Sequence, residues 1–117
     1  MNSFLTDIEE DGYHIFSLDK AKSPDFYPNR FPNYPGVKVH DLAVGDRITI
    51  RAFFPVEAKD STRIDGGYID LEVEHIEADH VLAVILTELP KEFALGTGDS
   101  IEVFEDEILY RTAAPVQ

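Results

Sequence analysis

The stretch that decides the fold is Tyr68-Ile69-Asp70-Leu71-Glu72-Val73-Glu74-His75-Ile76, followed by Glu77-Ala78-Asp79-His80 and then Val81-Leu82-Ala83-Val84-Ile85-Leu86-Thr87. Ile69, Leu71 and Val73 recur at period two with Asp70, Glu72 and Glu74 between them. That is the pattern of a strand with one face on a core and the other in water. By the same alternation His75 is expected to point inward beside Val73. Residues 77–80 are polar and short enough for a turn. The nearly all-apolar run after them predicts a strand buried on both faces. Together the two segments read as an antiparallel hairpin.

Working outward, Arg47-Ile48-Thr49-Ile50-Arg51-Ala52-Phe53-Phe54 also alternates, and Pro55 is expected to end it because proline has no ladder donor. Residues 56–67 are polar and contain Asp65-Gly66-Gly67, which predicts a long hairpin connection with a turn at the glycines. Ser100 to Phe104 reads as a further strand, Pro90 to Leu95 as a single helical turn, and Glu105 to Arg111 as a last short helix or strand. One internal echo links two strand starts: Leu42-x-x-Gly45-Asp46-x-Ile48-x-Ile50 and Leu95-x-x-Gly98-Asp99-x-Ile101-x-Val103. In each, glycine supplies a positive φ, aspartate bonds nearby backbone N–H groups, and the following apolar residues face the core.

Upstream, Met1 to Asp11 forms a short amphipathic helix in this reading, with Phe4, Leu5 and Ile8 on one side and Gly12 at its end. Tyr13 to Leu18 follows as a strand. Residues 23–36 hold four of the seven prolines, so neither a helix interior nor a central strand suits them. They read as an extended strap whose Phe26, Phe31 and Tyr34 plug into the body. The expected core is Phe31, Leu42, Ile48, Ile50, Phe53, Ile69, Leu71, Val73, Val81, Ala83, Ile85, Leu95, Ile101 and Val103.

The chain has 117 residues, 44% of them hydrophobic and 11% aromatic, which suits one globular domain with a core of its own. That domain, 1–117, divides into an N-terminal element (1–22), the aromatic and proline strap (23–36), a β core (37–111) and a tail (112–117). The fold class expected is mainly β: a small, strongly bent antiparallel sheet or SH3-like barrel, with α+β as the alternative. There are 23 acids against 10 bases, a formal charge of −13. That balance opposes nucleic-acid backbones and anionic membrane surfaces. No cysteine is present, which excludes disulfides and thiolate chemistry and fits a reducing compartment. The N-terminus lacks the basic and apolar regions of a signal peptide, so the cytoplasm is the expected location.

Catalytic signatures do not emerge. Asp70, Glu72 and Glu74 lie at period two on a polar strand face, where solvated carboxylates are tolerated and a catalytic pair is not implied. His75, Glu77, Asp79 and His80 cluster at the hairpin turn, but their spacing matches no metal signature. No metal and no cofactor is expected. No serine is framed as a nucleophile, and no glycine pair sits in a phosphate cradle. Charge asymmetry is the informative feature. Residues 66–110 carry twelve acids and one base, Lys91, and such a density speeds encounter with a basic partner.

The Ser23-Pro24-Asp25-Phe26 stretch, the Leu42-x-x-Gly45-Asp46-x-Ile48 and Gly67-x-x-x-Leu71-x-Val73 strands, the apolar run 81–86 and the closing Leu95-x-x-Gly98-Asp99-x-Ile101 occur in an order that resembles a bacterial family of unknown function. Its members are small β-rich domains, often in defence-type neighbourhoods. The resemblance spans about residues 23–110 and implies the fold. The family's aromatic and basic residues ahead of the middle strand, and its Asn-rich turn after the apolar strand, are replaced here by Asp65-Gly66-Gly67-Tyr68 and Thr87-Glu88-Leu89-Pro90. Ligand contacts at those positions therefore do not carry over.

Three functions are compatible with these readings. The first is a non-catalytic protein whose acidic face, Asp70, Glu72, Glu74, Glu77 and Asp79, docks a basic protein, most concretely a bacterial immunity-type protein neutralising a toxin. The second is a small-molecule or peptide-binding barrel with a pocket walled by Tyr27, Phe31 and Tyr34. The third is a structural accessory domain of a homo-oligomer.

Overall fold

A computed structural model describes residues 8, 10–22, 34–58, 61–90 and 93–112. Its strands are β1 (His14–Ile15), β2 (Arg47–Ala58), β3 (Ser61–Ile76), β4 (His80–Ile85), β5 (Ser100–Phe104) and β6 (Tyr110–Thr112). They form one antiparallel sheet in the order β1-β2-β3-β4-β5, with β6 also on β2. A 3₁₀ turn, Glu105–Glu107, carries the chain from β5 back to the far edge of β2, so the sheet curls into a half-barrel. This is the small, strongly bent sheet that the alternation predicts, and no helix of seven or more residues occurs among the described residues.

The main core fills the concave face. Ile48, Ile50 and Ala52 of β2 meet Ile69, Leu71 and Val73 of β3 and Val81, Ala83 and Ile85 of β4, all buried. Val103 and Ile108 complete it, and Ile101 packs at its margin. A second, smaller cluster sits on the opposite face of β2, where Ile8, Phe16 and Leu109 enclose Phe53. The described part of the N-terminal segment thus covers the outer face of the sheet at the β1–β2 end. Gly12, at φ 84°, donates to Ile8 O at 2.9 Å; most of the helix expected over residues 1–11 lies outside the described residues. Phe31, together with the rest of residues 23–33, lies outside the described residues.

The two echoed strand starts are geometric twins. Gly45 and Gly98 have φ of 96° and 90°. Their N–H groups donate to Val73 O and Ile85 O, both at 2.8 Å. Asp46 and Asp99 accept the N–H of the residue three back, Ala43 at 2.9 Å and Gly96 at 3.0 Å. Leu42 and Leu95 are buried beneath. One short pattern therefore makes the same clasp twice, each time tying a turn to a neighbouring strand.

Four expectations require correction. Pro55 does not end β2, which runs to Ala58. Phe16 N–H donates to Arg51 O and Leu109 N–H to Thr49 O, so odd-numbered residues of β2 turn their backbone groups away from β3. The missing donor of Pro55 faces that side, and its pairing with Ile64 loses nothing. Asp65-Gly66-Gly67 is strand rather than turn, opposite Phe54, Phe53 and Ala52. His75 is exposed because a bulge between Val73 and His75 inserts Glu74 and reverses the alternation, which brings Ile76 to the core instead. Finally, β4 is buried on one face only: Leu82 and Val84 are half-exposed on the convex side.

The space beside Gly66 is filled by Phe53, whose ring carbons would stand 2.9 Å from an added Cβ, while a Cβ at Gly67 would meet nothing within 4 Å. Gly66→Ala should therefore displace a buried ring and destabilise the chain by about 1–3 kcal/mol. Gly67→Ala should be neutral or stabilise it by about 0.5 kcal/mol through the unfolded state. Urea denaturation of the two variants measures the contrast. Equal losses would mean that the ring does not occupy the Gly66 position.

Candidate functional site

Because β3 bends over the core, its polar face becomes the convex outer face of the sheet. Across that face Arg47, Glu72, Val84 and Ser100 stand in one cross-strand row, and Thr49 and Asp70 in the next. Thr49 is itself buried and donates its hydroxyl to Asp70 Oδ1 at 2.7 Å. Glu74, pushed out by the bulge, accepts the Ser100 hydroxyl. Glu72 and Glu102 are exposed on either side of β4. Between these carboxylates runs an apolar row of Leu82, Val84 and Leu86, with Leu86 39% exposed and Phe104 at the row's end equally so. Asp70, Glu72 and Glu74 therefore share one surface with apolar side chains that the alternation alone had hidden.

Glu77 and Asp79 belong to the turn at the end of that face. The four residues weighed as a metal cluster separate into two pairs: His75 Nε2 with Glu77 Oε1 and His80 Nδ1 with Asp79 Oδ1, both at 2.7 Å. The hydrogen bond to His80 lowers the pKa of Asp79 and raises that of His80. Among the described residues no group of three His, Asp or Glu side chains converges as a metal site would require.

Of the residues expected to wall an aromatic pocket, Tyr27 and Phe31 lie outside the described residues. Tyr34 packs edge-on against Phe16, and its hydroxyl meets Tyr68 OH at 2.7 Å and accepts from Arg51 Nη1 at 3.2 Å. The Arg51 guanidinium lies 5.4 Å from the Tyr68 ring centroid, within cation–π range. Burial raises the Tyr34 pKa, and the bond with Tyr68 adds to that. This cluster ties Tyr34 to the sheet.

A cleft of ≈ 460 Å³ opens elsewhere, between the N-terminal segment and the end of β5. Tyr13, His14 and Ile15 form one wall, and Ile101, Glu102 and Phe104 form the other. Asp106 and Glu107 close its end. Asp106 accepts the Ser17 hydroxyl, and Glu107 Oε1 accepts Phe104 N–H at 2.9 Å. Burial pushes the Glu107 carboxyl up to about 7, with Asp106 adding to the rise and the Phe104 N–H and Lys20 opposing it. Sequence reasoning missed this group, because only the 3₁₀ crossing brings Glu107 beneath β5. No helix among the described residues is long and apolar enough to cross a membrane.

The raised Glu107 value has a sign that can be measured. The folded chain keeps this proton up to about pH 7, whereas the ordinary value is 4.5. The group's contribution to stability is therefore full at low pH and is lost as pH rises from about 4.5 through about 7. Glu107→Gln keeps a carbonyl for Phe104 N–H and removes the ionisation. It should match the parent at pH 4 and exceed its stability by about 3 kcal/mol at pH 8, read by chemical denaturation at both pH values. A difference independent of pH would contradict the burial of the charge. No family model, no curated protein and no solved structure matches the chain, so its surfaces are read from their own chemistry.

Proposed function

We propose that this chain is a non-catalytic binding protein of the cytoplasm whose convex sheet face docks a basic protein partner, most concretely as an immunity-type protein that neutralises a toxin. The observation that carries the reading is the flanking of the half-exposed Leu82, Val84 and Leu86 row by Asp70, Glu72 and Glu74 on one side and Glu102 on the other. An apolar centre with a polar rim is how a docking surface divides its work. Burial of the centre supplies affinity, while the rim charges steer encounter and reject partners of like sign. The acid-rich segment 66–110 supplies the field.

Glu72→Lys combined with Glu74→Lys should cut the association rate with the captured partner by about tenfold at low salt, and added salt should narrow the difference. The measurement compares parent and reversed baits in host lysate at two ionic strengths, followed by stopped-flow association with the purified partner. A partner retained equally by both baits would place docking away from this face.

A further inference from the structure

We propose that the open seam between β5 and β1 receives an extended basic peptide segment of a partner protein, added to the sheet as a further strand. This site adjoins the convex face, with Glu102 and Phe104 at their common margin, and does not depend on docking there.

The backbone carries the argument first. β5 pairs with β4 on one side, and no second strand pairs with it among the described residues. Ile85 N–H donates to Asp99 O and Glu105 N–H to Asp79 O, bonds that bracket the strand. By the antiparallel alternation Ile101 and Val103 turn their backbone groups to β4, while Ser100, Glu102 and Phe104 present theirs to the free edge. Such a row is the template on which an extended peptide adds itself. One of these outward amides, that of Phe104, already donates to a carboxylate, Glu107 Oε1 at 2.9 Å. A side-chain oxygen thus occupies a position that a peptide carbonyl would take.

Space and charge then select the occupant. The ≈ 460 Å³ cleft lies along this edge, with β1 as its far wall, and its volume falls within the ordinary range for ligand sites. Tyr13 and Phe104 offer apolar ring surface to aliphatic stems. Among the described residues, Asp11, Glu102 and Asp106 line it beside the buried Glu107 carboxyl, against the cation Lys20. A second copy of this chain, itself at −13, would bring like charges together at the edge. A lysine- or arginine-bearing strand would neutralise them.

The test uses the full chain and a fluorescein-labelled seven-residue peptide of alternating lysine and valine. Anisotropy should show saturable binding. Amide shifts in NMR spectra of the labelled protein should concentrate at Ser100, Glu102 and residues 13–15. N-methylation of alternate peptide amides should weaken binding at least tenfold, and Asp11→Lys should weaken it several-fold. Glu102→Pro removes an outward N–H without touching the β4 ladder and should abolish binding, with circular dichroism checking that the fold is kept. Glu72→Lys should weaken peptide binding far less than Asp11→Lys does, which distinguishes this site from the convex face. Any of three results would overturn the proposal: no saturable binding, undiminished binding of the N-methylated peptide, or shifts confined to Glu72, Leu82, Val84 and Leu86. A dimer of the parent chain that Glu102→Pro dissolves would assign the edge to a second copy and overturn it equally.

Discussion

The pairing of β2 with β3 is the constraint on which the remaining structure rests. It runs unbroken from Arg47 opposite Glu72 to Ala58 opposite Ser61. Every other strand attaches to this pair directly or through one intermediary: β1 and β6 to the free side of β2, β4 to β3, and β5 to β4. Its inner face supplies Ile48, Ile50, Ile69 and Leu71, each essentially inaccessible to water. Because side chains alternate strictly along both strands, this register decides at once which residues make the core and which carboxylates reach solvent. A slip of one residue would bury Asp70 and Glu72 unpaired, at a cost that no packing gain offsets.

Much of this was legible, and the reason is local. Ile48 and Ile50, or Ile69, Leu71 and Val73, announce a buried face by spacing alone, and the repeated Leu-x-x-Gly-Asp pattern announces two strand starts. The failures share a different character, since each depends on what lies across from a residue rather than beside it. Pro55 is tolerated because its nitrogen faces the side of β2 away from β3. Gly66 is a strand residue because Phe53 fills its side-chain space. His75 is outside because Glu74 bulges, and no feature of residues 73–76 marks where the pairing slips. Val81 to Leu86 looks buried on both sides because apolar residues occupy both of its faces, yet Leu82 and Val84 stay partly exposed on the convex side.

The candidate surfaces divide along the same line. Asp70, Glu72 and Glu74 were readable as an acidic face from period two, but the apolar row beside them required the third dimension. The cleft was invisible in sequence, since its walls come from residues 11–20 and 101–107, brought together by the return of the chain to β2. Charge density pointed to the acidic half of the chain. Only the curl of the sheet separates that half into a convex face and a seam.

The two edges of the curled sheet are guarded by unlike means, and so they would fail under unlike conditions. Along the part of β2 that lies beyond β1, the proline at position 55 withholds a donor whatever the solvent. Along β5 the guard is electrostatic, made of carboxylates that salt screens and acid neutralises. Aggregation of this chain at high ionic strength or low pH would therefore begin at β5, with the proline-bearing edge left intact.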